Sequence, residues 1–198
     1  MINEYVVVNQ LYEDMKKNDY LNKNTIYIDK EFNSDSCMLL TRQLIKLCEQ
    51  ELEKDESLRK HIVIIISSYG GVLDDFYTVK SFMEYYKEKG IIIETINYGK
   101  SMSAGAYLLM SGSKGYRKST RYGSIMVHQI QCGQPYGSMQ DMNINNKNIQ
   151  KNWEVLKDTM RECTNFTEQE LEDFTEKNID FTYTPQEALE KGIIDELI

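Results

Sequence analysis

Ser103 lies in the stretch Gly99-Lys100-Ser101-Met102-Ser103-Ala104-Gly105-Ala106-Tyr107-Leu108-Leu109-Met110, where a β-branched run gives way to a helical pattern. A hydroxyl at such a junction has two uses. Ser101 or Ser103 can cap the helix, or Ser103 can act as a nucleophile beside helix N–H groups that receive an oxyanion. A serine nucleophile needs a base, and the chain has 2 histidines. His61 stands beside Lys60 ahead of an apolar strand and reads as a solvated flank. His128 follows Ser124-Ile125-Met126-Val127; it is either a satisfied core residue or the general base for Ser103. Lys100 offers a Ser–Lys alternative, although its place so close to the serine suits a surface lysine better. A carboxylate would complete the set by orienting the imidazole. Spacing cannot choose it among 31 acidic residues, and Asp180 is attractive only because it links the long helical region to the last helix.

Gly70-Gly71 also sits where a strand hands over to a helix. The pair either makes a tight turn or lets the Gly71 N–H converge with the Ala104 N–H on one oxygen, an oxyanion hole of backbone donors. Ser101-Met102-Ser103-Ala104-Gly105 lacks the first glycine of the G-x-S-x-G elbow, and the order Ser, His, Asp differs from that of α/β-hydrolases. No Walker A loop or dinucleotide fingerprint is present, so neither an ATP site nor any other cofactor is expected.

The elements that must position these residues alternate between strand and helix, which predicts an α/β layered domain. Thr25–Ile28 reads as a short strand, and Asn33-Ser34-Asp35-Ser36 supplies caps for a helix carrying Leu40, Leu44, Leu47 and Leu52. Its charged end, Glu51 to Lys60, is expected in solvent. Ile62-Val63-Ile64-Ile65-Ile66 reads as a strand covered on both faces. Val72, Phe76, Val79, Met83 and Tyr86 form one buried helical stripe, ended by Gly90. A second strand is expected over Ile91–Ile96, with a turn at Tyr98-Gly99 and a helix over 103–111. A long helix covers roughly 138–162, and Thr184-Pro185-Gln186-Glu187 starts the last helix with a capping box.

The 198 residues suit one domain over 25–198, preceded by a polar arm over 1–24 that reads as mobile. Charge is 23 basic against 31 acidic residues, net −8, which argues against nucleic acid or an anionic membrane as partner. No apolar run reaches membrane-spanning length, and the first residues lack the pattern of a signal peptide. Cys37, Cys48, Cys132 and Cys163 are scattered without metal-ligand spacing. A reduced, cytoplasmic protein is expected, with no metal.

Four segments in order resemble ClpP, the proteolytic subunit of ATP-dependent Clp proteases. Ile66-Ser67-Ser68-Tyr69-Gly70-Gly71 resembles I-N-S-P-G-G. Gly99 to Arg117 resembles G-Q-A-A-S-M-G-A-F-L-L-x-x-G-x-K-G-x-R. Ser124 to Gln129 resembles S-R-V-M-I-H-Q, and Asp180 to Ile198 resembles D-x-x-x-S/T-x-x-E-A-x-x-x-G-L-I-D-x-I. The resemblance covers Ile26 to Ile198 and keeps the Ser-to-His spacing. It implies Ser103 as nucleophile, His128 as base, Asp180 as its orienter, and Gly71 and Ala104 as oxyanion donors. It further implies the ClpP/crotonase ββα superhelix with a protruding handle over 138–162. Assembly into two stacked seven-membered rings is implied as well, with unfolded polypeptide as substrate and an AAA+ unfoldase of the ClpX or ClpA type as partner.

Several positions depart from the pattern. Tyr69 replaces the proline before Gly-Gly, Ile130-Gln131-Cys132-Gly133 replaces Pro-Leu-Gly-Gly, and Phe181 stands where many members carry an arginine that pairs across the rings. Residues 1–25 match poorly. These differences leave room for a dedicated processing protease, for example of a virus head, working without an unfoldase. A crotonase-like acyl-CoA enzyme would use the glycines but leave His128 and Asp180 idle.

Overall fold

In the computed structural model the described residues are 24–131, 138–177 and 179–198. The expected arm, apart from Asn24, and the departures at Cys132 and Gly133 lie outside them. Among these residues seven strands form one mixed sheet: β1 (Thr25–Ile28), β2 (Ile62–Ser68), β3 (Ile93–Met102), β4 (Arg117–Ser119), β5 (Ser124–Val127), β6 (Phe181–Tyr183) and β7 (Glu196–Leu197). Among the described residues six α-helices accompany them: α1 (Ser34–Leu52), α2 (Leu73–Glu88), α3 (Ala104–Met110), α4 (Met139–Cys163), α5 (Glu168–Glu176) and α6 (Pro185–Glu190). The arrangement is the α/β layering expected of the ClpP-like fold.

The sheet runs β1-β2-β3-β4-β7, all parallel, with β5 on β3 and β6 antiparallel to β5. β3 is the axis. Its first half pairs β4 (Asn97 opposite Ser119), and its second half pairs β5 (Met102 opposite Met126) on the same edge. It therefore runs through Tyr98-Gly99, where a turn was expected. The ladder with β2 resumes at Ser68 opposite Ser101 after an irregularity, and the strand continues to Met102.

β2 alternates: Ile62, Ile64, Ile66 and Ser68 are buried, whereas Val63, Ile65 and Ser67 are half-buried. The expectation of equal cover on both faces fails, because the helical layer lies against the isoleucine side. Leu40, Leu44 and Leu47 of α1 and Phe76, Val79, Met83 and Tyr86 of α2 fill that layer. Val72 drops out of the expected stripe; it precedes α2 in an extended conformation and is half-exposed.

The caps follow the sequence closely. The Asn33 side chain accepts from the amides of Asp35 and Ser36, and Ser138, Thr167 and Thr184 each close a capping box. One charged residue does not behave as expected. Glu51 is buried, and its carboxylate accepts from Asn24 Nδ2 (2.6 Å), Lys54 Nζ (2.6 Å) and the Lys60 amide (2.8 Å). Burial alone would raise its pKa, but these donors outweigh it and hold the group below the usual carboxylate value. The helix over 138–162 is α4, one residue displaced. Its second half packs through Trp153, Leu156 and Met160, while Met139 and Ile144 in its first half are exposed. A helix that sequence reading did not separate, α5, supports it: Trp153 Nε1 donates to Thr175 Oγ1 at 2.7 Å.

Candidate active site

β3 ends at Met102, and the chain reverses into α3 within one residue. That residue, Ser103, has φ 51° and ψ −123°, a region costing a non-glycine residue about 1–3 kcal/mol. Three backbone hydrogen bonds hold it there. Its amide donates to Met126 O (2.8 Å), and its carbonyl accepts from the amides of Ala106 (2.8 Å) and Tyr107 (3.1 Å). The hydroxyl takes no part: among the described residues the Ser103 side chain caps nothing. Ser101 is no cap either, because it lies inside β3 with its hydroxyl buried and unpartnered. The capping explanation for both serines is thereby removed.

Gly70 and Gly71 form the second wall. Ser68 Oγ donates to Lys30 O (2.5 Å) and accepts from the Gly70 amide (3.1 Å). Phe32 bridges the pair, its amide donating to Gly70 O and its carbonyl accepting from Val72, both at 2.8 Å. In a parallel bridge of this kind the N–H of the middle residue points away from the partner strand. The Gly71 amide accordingly finds no acceptor among the described residues, and neither does the Ala104 amide. Both glycines have positive φ, 94° and 146°. A β-carbon on Gly70 would come 2.6 Å from Met102 O and 2.9 Å from Ala104 N, and one on Gly71 would come 2.3 Å from Phe32 O. Gly70, which the sequence offered only as half of a glycine pair, is thus the residue that abuts the turn at Ser103.

The third wall comes from β5 and β6. Met102 pairs with Met126, and Val127 pairs with Phe181. One step further along each ladder brings Ser103, His128 and Asp180 to a common edge, at the end of β3, the end of β5 and the start of β6. The half-buried His128 presents a backbone carbonyl that accepts from Tyr107 Oη at 2.9 Å. Its Nδ1 is buried without a hydrogen-bond partner. Asp180 is exposed and makes no hydrogen bond or ion pair among the described residues. The fold brings the Asp180 and His128 positions together without joining the carboxylate to the imidazole.

His61 lies at the opposite end of the parallel strands, since Ile62 pairs with Ile93 and Ser68 with Ser101. There its Nδ1 is 3.6 Å from Glu94 Oε2, and its ring meets Tyr116 edge-on at 4.7 Å. It is a pinned flank rather than a free one. Lys100 holds its ammonium 4.0 Å from the centre of the Tyr69 ring, a cation–π contact beside the glycine pair. Phe181 packs edge-on against Phe174, with centroids 4.6 Å apart. Among the described residues, no group of three His, Cys, Asp or Glu side chains is placed to hold a metal ion.

A nucleophile-sized hydroxyl released from capping, an imidazole position on the adjoining strand and two unengaged amides together suit acyl transfer. The sequence matches the Clp protease family over residues 9–198. The chain belongs to the Clp protease family. The ATP-dependent Clp protease proteolytic subunit 2 of Bacillus licheniformis is 33% identical over 178 residues, 90% of this chain and 87% of that one. The proteolytic subunit 1 of Prochlorococcus marinus subsp. pastoris is 32% identical over 175 residues, 88% of this chain and 83% of that one. A third, the proteolytic subunit 2 of a Synechococcus species, is 30% identical over 178 residues, 90% and 84% respectively. No helix among the described residues is long and apolar enough to cross a membrane.

Two features escaped sequence reading. The Tyr107 hydroxyl meets a carbonyl whose location depends on how β5 docks, and nothing local announces that. The role of Gly70 was masked by its neighbour, because spacing alone does not tell which glycine of a pair abuts the serine.

Proposed function

We propose that this chain, a serine peptidase of the ClpP type, is an endopeptidase whose acyl-enzyme forms on Ser103. The observation that carries the proposal is the strained, uncapped Ser103 standing between the Gly70-Gly71 turn and the end of β5. His128 takes the Ser103 Oγ proton as the oxygen attacks the scissile carbonyl carbon. The carbonyl π bond becomes an oxyanion held by the N–H groups of Gly71 and Ala104. Collapse breaks the C–N bond, and His128 delivers the proton to the departing amine. Water, deprotonated by the same imidazole, then attacks the ester and returns Ser103 to its free form. Asp180 orients His128 through Nδ1, the atom left without a partner here, once the β6 edge moves its carboxylate within reach.

The substrates are unfolded polypeptides and short peptides cleaved inside a homo-oligomeric chamber of two stacked seven-membered rings. An AAA+ unfoldase of the ClpX or ClpA type, working in the cytoplasm, supplies the chains, in keeping with the "ATP-dependent" of the relatives' names. Phe181, turned into an aromatic cluster of its own subunit, offers no charge to a ring-to-ring pair, so ring coupling rests on other contacts such as the handle α4.

A fluorogenic peptide and an unfolded casein test the reading, alongside native mass spectrometry. Wild type cleaves both as a fourteen-subunit particle, whereas Ser103→Ala assembles identically and cleaves neither. An assembled wild type that cleaves neither substrate contradicts it.

A further inference from the structure

We propose that Tyr107 is a positioning residue that fixes His128 relative to Ser103, a role that rests on the serine-peptidase reading above. Tyr107 holds both partners at once. Its amide donates to the Ser103 carbonyl at 3.1 Å, and its hydroxyl donates to the His128 carbonyl at 2.9 Å. β5 ends at Val127, so the His128 carbonyl lies beyond the strand ladder. The His128 imidazole has no hydrogen-bond partner at Nδ1 either. The tyrosine hydroxyl is therefore the tether that sets where this residue sits.

The tether is rigid. The Tyr107 ring is buried within α3 and packs against Phe76, with centroids 6.1 Å apart. Burial, reinforced by the nearby Tyr77 and Tyr183, raises the hydroxyl pKa, so it remains a donor at every working pH. Displacing a general base by a fraction of a bond length lowers the rate of proton transfer while leaving substrate binding alone.

The test compares wild type with Tyr107→Phe on a fluorogenic peptide and records the imidazole NMR signals of histidine-labelled protein, in which His61 is an internal control. The expected result is a kcat lower by roughly ten- to a hundredfold with KM unchanged within about twofold. The His128 signal shifts or broadens, the His61 signal stays, and the oligomeric mass is unaltered. A kcat within about twofold of wild type, a loss carried by KM, an unmoved His128 signal, or a failure to fold or assemble each overturns the positioning role. A wild type that cleaves no peptide overturns the peptidase reading and the inference with it, whereas a cleaving wild type matched by Tyr107→Phe overturns the inference alone.

Discussion

Gly70 lies against Ser103 so closely that a β-carbon on the glycine would stand 2.8 Å from the serine Cβ. The turn that presents the Gly71 amide and the turn that presents the hydroxyl are therefore packed as one unit. Gly70→Ala adds a clash with backbone atoms to a φ of 94°, and is expected to cost about 1–3 kcal/mol. Peptide cleavage should fall by at least about a hundredfold, because relief of the clash displaces Ser103 or Ala104. Thermal unfolding at fixed protomer concentration and a peptidase assay check both effects.

Ser103 carries backbone strain of its own. Glycine at this position removes the strain, about 1–3 kcal/mol, against an entropic penalty of about 0.5–1 kcal/mol relative to alanine. Ser103→Gly is thus expected to be about 1 kcal/mol more stable than Ser103→Ala, both being inactive. A Ser103→Gly midpoint below that of Ser103→Ala would show that the φ of 51° costs nothing, since only the entropic penalty of glycine would then remain.

Asp180 separates stability from catalysis. It is exposed and unpaired among the described residues, so Asp180→Asn should change stability by no more than about 0.5 kcal/mol. Its kcat should nevertheless fall by roughly ten-thousandfold, as expected when an imidazole loses its orienting carboxylate. Urea unfolding and steady-state kinetics on the same preparation provide the two readings.

Much of this arrangement was legible in the residues, for a physical reason. Caps at Asn33 and Thr184, the apolar run of β2 and the glycines after it are local signals, set by backbone sterics and hydrogen bonding within a few residues. The continuation of β3 through Tyr98-Gly99 was not legible. That segment is straightened by ladders to Ser68 on one side and Ser124 on the other, partners distant in sequence. Glu51 misled for the same reason, since its neighbours are charged yet its donors include Asn24. At the site, Ser103 and His128 were reached from type and order. The choice of Asp180 needed the family pattern, and the Tyr107 tether needed the fold.

The C-terminal segment is held by an ion pair of equal interest. Asp195 accepts from the amides of Gly115 (2.8 Å) and Arg117 (3.0 Å) and from Arg117 Nε (2.8 Å) and Nη2 (2.5 Å), while Arg117 Nη1 donates to Cys163 O. Burial would raise the Asp195 pKa, but Arg117 outweighs it and holds the group below its ordinary 3.8. A lowered carboxylate pKa stabilises the fold above the ordinary value, and that contribution fades as pH falls through the folded value. Arg117→Met should cost about 3–5 kcal/mol at pH 7, and the penalty should shrink below about pH 4 as the stranded carboxylate takes up a proton. Urea midpoints of both proteins from about pH 3 to about pH 7 give the comparison.

The most direct measurement is covalent. Incubation of the assembled protein with a fluorophosphonate, followed by peptide mass spectrometry, should find the adduct on Ser103, formed rapidly in wild type and far more slowly in His128→Ala. A folded, oligomeric wild type whose Ser103 stays unmodified, or an adduct that forms equally fast without the imidazole, would contradict the account.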